Sequence, residues 1–304
     1  MIIPTWNRAR TVVHAVESAL SQTLRDLEVI VVDDGSDDGT RDALQPLLAD
    51  DRVRCLVRPH SGLPGVARNA GLGVARGEAV AFLDSDDTWL PEKLERQLSA
   101  LADDRVGLVC ANAYVEGPSS SADSSSVRPY HEGKPGGLRA LEDLVRDNVV
   151  ITSTALVRRS VLDEVGWFSE DPRLRGNEDF DLWLRIAERS AILYIDEPLA
   201  VYRDSGSSLR GDVSLEQFHR ALLLIFISLR RRVLHGSPSL LDDLDAKIEG
   251  LRRFLRDDLR VHLERGQWRS AKLLAAEITS ANPRDLRGNL ALWLRLLRAR
   301  LVVR

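Results

Sequence analysis

Leu27 to Val32 is a run of strand length, apolar at every position but Glu28, that stops at Asp33-Asp34-Gly35-Ser36. A strand without polar alternation is one buried on both faces, as in a parallel sheet with helices above and below. The same unit recurs along the first half of the chain. Met1-Ile2-Ile3 is a strand stub ending in Pro4-Thr5-Trp6-Asn7, and Thr11 to Leu20 sets Val12, Val13, Val16, Ala19 and Leu20 on one helical face. Further strands are expected at Val53 to Val57, from Ala79, and at Val106 to Ala111, with helices over Val66 to Ala75 and Glu92 to Leu101. Such alternation predicts an α/β fold, and ligands in open sheets of this kind bind beyond the carboxyl ends of the strands.

Three of those strand ends are polar: Pro4-Thr5-Trp6-Asn7, Asp33 to Ser36, and Asp84-Ser85-Asp86-Asp87. Acids crowded at a strand end repel one another unless a cation neutralises them, and Mg²⁺ or Mn²⁺ shares oxygen ligands readily with substrate phosphates. Asp-rich turns also cap helices in water, so Asp84 to Asp87 read alone leaves both explanations open. No Gly-x-Gly-x-x-Gly follows the first strand and no Gly-Lys-Ser or Gly-Lys-Thr loop occurs, which argues against nicotinamide-binding and P-loop variants.

Composition removes other classes. The chain has 304 residues and a formal net charge of −4, a balance that gives no argument for nucleic acid. Cys55 and Cys110 lie in apolar runs, as buried free thiols of a reducing compartment do. The six histidines show no paired ligand spacing, so zinc is not expected. No leader pattern opens the sequence, and the run Ala221 to Leu229 falls far short of the ~20 residues that span a bilayer. A cytoplasmic chain is expected.

The motifs Ile2-Ile3-Pro4-Thr5-Trp6-Asn7, Val31-Val32-Asp33-Asp34-Gly35-Ser36, Ala67-Arg68-Asn69-Ala70-Gly71, Phe82-Leu83-Asp84-Ser85-Asp86-Asp87, Gly166-Trp167-Phe168 and Asn177-Glu178-Asp179-Phe180-Asp181-Leu182-Trp183-Leu184-Arg185 resemble, in order and spacing, those of glycosyltransferase family 2. The resemblance covers about the first two thirds of the chain. It implies a GT-A fold, a Rossmann-like, mostly parallel sheet with flanking helices, over residues 1–210. Residues 1–115 would be the nucleotide-sugar half and 129–210 the acceptor and catalytic half, with a helical appendage over 211–304. By the same resemblance Asp33 contacts the nucleobase, with Pro4, Thr5 and Trp6 lining that pocket. Arg68 would hold nucleotide or diphosphate, Asp84 the ribose or metal-bound diphosphate, and Asp86 an Mg²⁺ or Mn²⁺ ion. Asp179 would be the general base, with Glu178, Trp183 and Arg185 in support. The implied reaction is inverting transfer from a nucleoside diphosphate sugar, UDP by default, to a sugar or lipid-linked acceptor at the inner face of a membrane. A non-catalytic scaffold recruiting partners through its C-terminal helices is the alternative. Retention of Asp33, Asp84, Asp86 and Asp179 together counts against it.

Gly117 to Arg128 is Ser-rich and reads as a loop. Leu138 to Val145 is expected to be helical and Val149 to Val157 a strand. Relatives carry a histidine shortly after the position of Tyr202-Arg203, where this chain has Asp204-Ser205-Gly206-Ser207-Ser208, and they have a longer first strand, so the true start is expected upstream of Met1. From Leu215 the pattern is helical, with a hairpin over Arg252 to Glu264 and Trp268 to Ile278. In Asn289 to Arg304, Leu290, Trp293, Leu294, Leu297 and Leu301 form an apolar stripe among arginines. Packing against the core explains such a stripe, and so does resting on an anionic membrane surface.

Overall fold

The computed structural model describes residues 1–117, 128–203, 213–281 and 285–302. The Ser-rich run 118–127 and the loop 204–212 lie outside the described residues. The chain divides into two compact units, 1–172 with 178–212, and 173–177 with 213–304.

Among the described residues the first unit has ten strands. β1 (Ile2–Thr5), β2 (Val29–Asp33) and β3 (Val53–Val57) pair in parallel in the order β1-β2-β3. The register sets Thr5 beside Asp33, so both polar strand ends finish at one edge. β2 is buried at every position, as its unbroken apolar run requires. β4 (Ala79–Ala81) continues from β1 through a parallel bridge between Ile2 and Phe82, and Leu83 donates its backbone N–H to the Ile2 carbonyl. The helix Pro64–Val74 begins with proline in its first turn and lies against β1 closely enough that a Cβ on Gly71 would stand 2.6 Å from Ile2 Cγ2.

The remaining strands are β5 (Thr88–Trp89), β6 (Val106–Glu116), β7 (Arg128–Pro129), β8 (Gly137–Arg139), β9 (Leu156–Arg158) and β10 (Ala191–Arg203). Their order is β4-β9-β6-β10-β5. β6 and β10 are parallel, while β9 enters antiparallel between β4 and β6.

Two local readings change. Val149 to Val157 is not one strand. Thr152–Thr154 forms a 3-10 turn, and only Leu156–Arg158 joins the sheet. The turn forms because hydroxyl and main-chain groups there bond locally: Thr154 Oγ1 and the Thr154 N–H both donate to the Ile151 carbonyl. Leu138 to Val145 is likewise split, with Gly137–Arg139 pairing on β10 before the helix Leu141–Arg146. Cys55 and Cys110 are free thiols, and burial pushes the Cys110 thiol up to about 12.

The second unit contains the helices Leu215–Arg232, Pro238–Glu264, Trp268–Ala281 and Leu286–Val302. Ser214 and Ser237 cap the first two through their hydroxyls. The hairpin's first helix therefore starts well before Arg252. Leu240, Leu244, Ile248, Leu255 and Leu259 make its buried row, and Arg252 stands within that row. On the last helix the buried row is Asn289, Leu292 and Leu296, while Leu290 and Leu294 of the expected stripe are exposed. Trp293 of that stripe is half-buried. Among the described residues no helix is long and apolar enough to cross a membrane.

Candidate functional site

Asp33 ends β2 with its carboxylate wholly buried. Oδ1 accepts from the Ser36 N–H at 2.9 Å and Oδ2 from Arg41 Nε at 2.8 Å. Burial pushes its pKa up, but donation from Ser36 and Arg41 outweighs that and holds it below the usual aspartate range. The following loop is laced to the end of β1: Ser36 Oγ accepts from the Asn7 N–H, Thr40 Oγ1 from the Arg8 N–H, and Asp38 from the Ala9 N–H. Gly35 has φ +81°, and a Cβ there would lie 2.8 Å from the His60 nitrogen. Trp6, 45% exposed, stacks on His60 with centroids 4.5 Å apart. Pro4 is buried within β1, and Thr5 Oγ1 is buried without a hydrogen-bond partner. Asp34 is committed locally, to Arg58, Ser61 and the Gly62 N–H.

The second acidic turn follows β4. Asp84 accepts from Arg68 Nη2 at 2.7 Å and donates its backbone N–H to Ser153 Oγ at 3.1 Å. The Asp86 carboxylate lies 3.9 Å from Arg8 Nε, and burial, then the charge of Asp84, raise its pKa. Asp87 is 1% exposed and spent on structure. It accepts from Ser153 Oγ and from the Arg203 N–H, the latter at 2.9 Å, which joins the turn to the end of β10. Burial, then Asp84 and Asp86, push it well above the carboxylate range.

Glu178 and Asp179 open the helix Glu178–Ala187, where the helix dipole favours negative charge. Buried Arg68 reaches across to Glu178 with Nη1 at 3.0 Å. Asp179 accepts from Thr152 Oγ1 at 2.5 Å and from the Phe180 N–H at 2.7 Å. Trp183 is fully buried against Phe82 and Phe168. Arg185 pairs with Asp181 and donates to the carbonyls of Val165, Gly166 and Trp167. These two residues hold the helix in place by packing and main-chain contacts.

Arg68 and the Thr152-Ser153 pair thus tie the Asp84 turn to the Glu178 helix from two sides. Sequence reading assigned no role to Thr152, Ser153 or Asp87. The only signal for the first two was the hydroxyl run Thr152-Ser153-Thr154 inside an apolar stretch.

Among the described residues no group of three His, Cys, Asp or Glu side chains converges as a ready-made metal cage. The donor chemistry nevertheless fits a hard cation. Asp84 and Asp86 are neighbouring carboxylates, the charge of Asp84 helping to raise the pKa of Asp86, and Mg²⁺ or Mn²⁺ is commonly held by one or two carboxylates plus phosphate oxygens.

A family model described as Glycosyl transferase family 2 matches residues 1–166. The chain is 34% identical over 222 residues to an uncharacterized glycosyltransferase of Nostoc sp., covering 68% of this chain and 65% of that protein. It is 30% identical over 214 residues to TuaG of Bacillus subtilis, named as a teichuronic acid biosynthesis glycosyltransferase, covering 70% of this chain and 81% of TuaG. The solved structure of S. aureus TarS 1–349 in complex with UDP superposes with a TM-score of 0.66 at 22% identity, covering 93% of this chain and 80% of that one. At that identity the likeness establishes the GT-A fold.

Proposed function

The chain belongs to glycosyltransferase family 2, and on that footing we propose that it transfers a sugar, with inversion, from a nucleoside diphosphate donor to an acceptor hydroxyl. The observation that carries this reading is the meeting of the two acidic segments. Arg68 bonds both Asp84 and Glu178, and Thr152 and Ser153 reach Asp179 and Asp84 from consecutive positions.

In this reading the acceptor hydroxyl attacks the anomeric carbon from the face opposite the leaving group. Its proton passes to the Asp179 carboxylate, the bond from that carbon to the diphosphate oxygen breaks, and the nucleoside diphosphate departs. General-base assistance is typically worth ~10²- to 10⁴-fold. Asp84 and Asp86 would hold Mg²⁺ or Mn²⁺, which when bound neutralises charge on the diphosphate. Arg68 acts through Asp84, whose carboxylate it orients. Trp6 offers an exposed ring for a base, and Asp33 a carboxylate at the neighbouring strand end, where it pairs with Thr5. UDP as the nucleotide is supported by the TarS complex. Cell-surface polysaccharide or glycolipid assembly is supported by the name of TuaG, and work at the inner membrane face follows from such acceptors.

The test is a screen of nucleotide sugars for Mn²⁺-stimulated hydrolysis, repeated with two variants. Asp179→Asn is expected to abolish transfer while sparing donor binding, and Asp86→Ala to weaken metal-assisted donor binding. Transfer by Asp179→Asn near the parent rate removes the base assignment.

A further inference from the structure

Thr152 and Ser153 are 6% and 1% exposed, and their hydroxyls bond the acidic segments of the site. Thr152 Oγ1 donates to Asp179 Oδ2 at 2.5 Å. One residue on, Ser153 Oγ donates to Asp87 and accepts from the Asp84 N–H. A hydroxyl has one proton to give, and Ser153 gives it to one member of the turn while accepting from another.

The turn that carries them is held from beneath. The buried Trp89 indole donates to the Ser153 carbonyl at 2.6 Å, and Gln97 Nε2 donates to the Thr154 carbonyl at 2.7 Å. The Ala111 N–H donates to Thr154 Oγ1 at 3.2 Å, fixing the turn to β6. These partners come from β5, from the helix Lys93–Ala100 and from β6, so the hydroxyls are placed by the sheet rather than by a free loop.

Asp179 Oδ1 is taken by the N–H of Phe180, its neighbour in the helix. The bond to Oδ2 is what sets the carboxylate against the rest of the sheet. We propose that Thr152 is a positioning residue for Asp179, fixing the rotation of its carboxylate relative to the Asp84–Asp87 turn. This rests on the reading of Asp179 as the base. A base carboxylate free to turn spends less time aimed at the acceptor proton, and misplacement of reacting groups by about 1 Å can cost ~10²-fold in rate. The residue acts through the base, so its loss is expected to act on turnover and to leave donor affinity alone.

The experiment compares Thr152→Val, Thr152→Ser and Asp179→Asn in the full chain, with steady-state kinetics, donor affinity by calorimetry and thermal melting. Thr152→Val is close to isosteric and lacks the hydroxyl. It is expected to lower kcat roughly tenfold to hundredfold with donor KM and Kd within about twofold of the parent. Thr152→Ser keeps the donor and is expected to retain the parent kcat. Should the valine variant not fold, Thr152→Ala takes its place in the comparison with serine. If the hydroxyl-free variant matches the parent in kcat while Asp179→Asn is inactive, Thr152 only packs, and the positioning role falls with the base assignment intact. If Asp179→Asn transfers at the parent rate, the base assignment itself fails and the positioning role fails with it.

Discussion

Arg41 lies across the buried carboxylate of Asp33, its Nε 2.8 Å from Oδ2, although the Arg41 side chain is itself half exposed. A nucleobase that bonds Asp33 must share this acceptor with Arg41 or displace it. Folding has already satisfied the acid, so donor binding exchanges one partner for another instead of filling a vacant group.

Acid stability reports on that pair. The Asp33 pKa is depressed in the folded state by Ser36 and Arg41 against the upward push of burial. Its contribution to stability is therefore fully present above the ordinary aspartate value of about 4 and is lost as the pH falls through the lower folded value. Arg41→Ala removes one of those donors. It should cost about 1 kcal/mol at neutral pH, since water can replace a half-exposed partner, and should move acid unfolding to higher pH. Circular dichroism followed through an acid titration measures both.

Arg68, itself buried, bonds Asp84 with one end of its guanidinium and Glu178 with the other. Arg68→Met should leave buried Glu178 without this partner, and breaking one side of a buried pair typically costs ~3–5 kcal/mol. Arg68→Lys should not restore it, because a single ammonium cannot reproduce the fork that spans two acids. Urea unfolding of the three proteins separates this from a purely ligand-binding arginine. Variants as stable as the parent, but with weaker donor affinity, would contradict the structural role.

Lys93 is 0% exposed, with Nζ donating to Gln97 Oε1 at 2.6 Å and lying 4.1 Å from the Trp89 ring centroid. Burial drives its pKa well below the lysine range. The unfolded chain takes up a proton that the folded chain refuses, so this residue opposes folding increasingly as the pH falls below about 10. The stability of Lys93→Met relative to the parent should rise as the pH is lowered from about 10 to about 7. Melting temperatures of both proteins across that range measure the trend, and a flat difference would show that Lys93 keeps its charge.

In the C-terminal unit, Arg252 occupies a position in the buried leucine row and is 0% exposed. It donates to the Ile278 carbonyl, Glu249, Asp285 and Asn289, so one side chain joins three helical segments. Arg252→Leu fits the apolar row but strands the groups that arginine satisfies. It should lower the helical stability by a few kcal/mol, of order ~3, rather than raise it. A loss of helical signal at lower temperature than in the parent is the expected readout.

The alternation of apolar runs, the acids at Asp33, Asp84 and Asp86, and the Glu178-Asp179 helix start were legible from the chain because each is set by neighbours a few residues away. A run without polar alternation must be buried on both faces, and its first acid marks the end of the strand. Tertiary structure decided what no local pattern carries. It took Thr152-Ser153 out of an expected strand and gave their hydroxyls to two segments remote in sequence. It made Arg68, expected to hold nucleotide or diphosphate, a buried link between Asp84 and Glu178. It buried Leu292 and Leu296 in place of Leu290 and Leu294. The physical reason is common to all three. Hydrogen-bond partners and buried faces are chosen by surfaces that meet only after folding, while periodicity reports just which surfaces are available to meet.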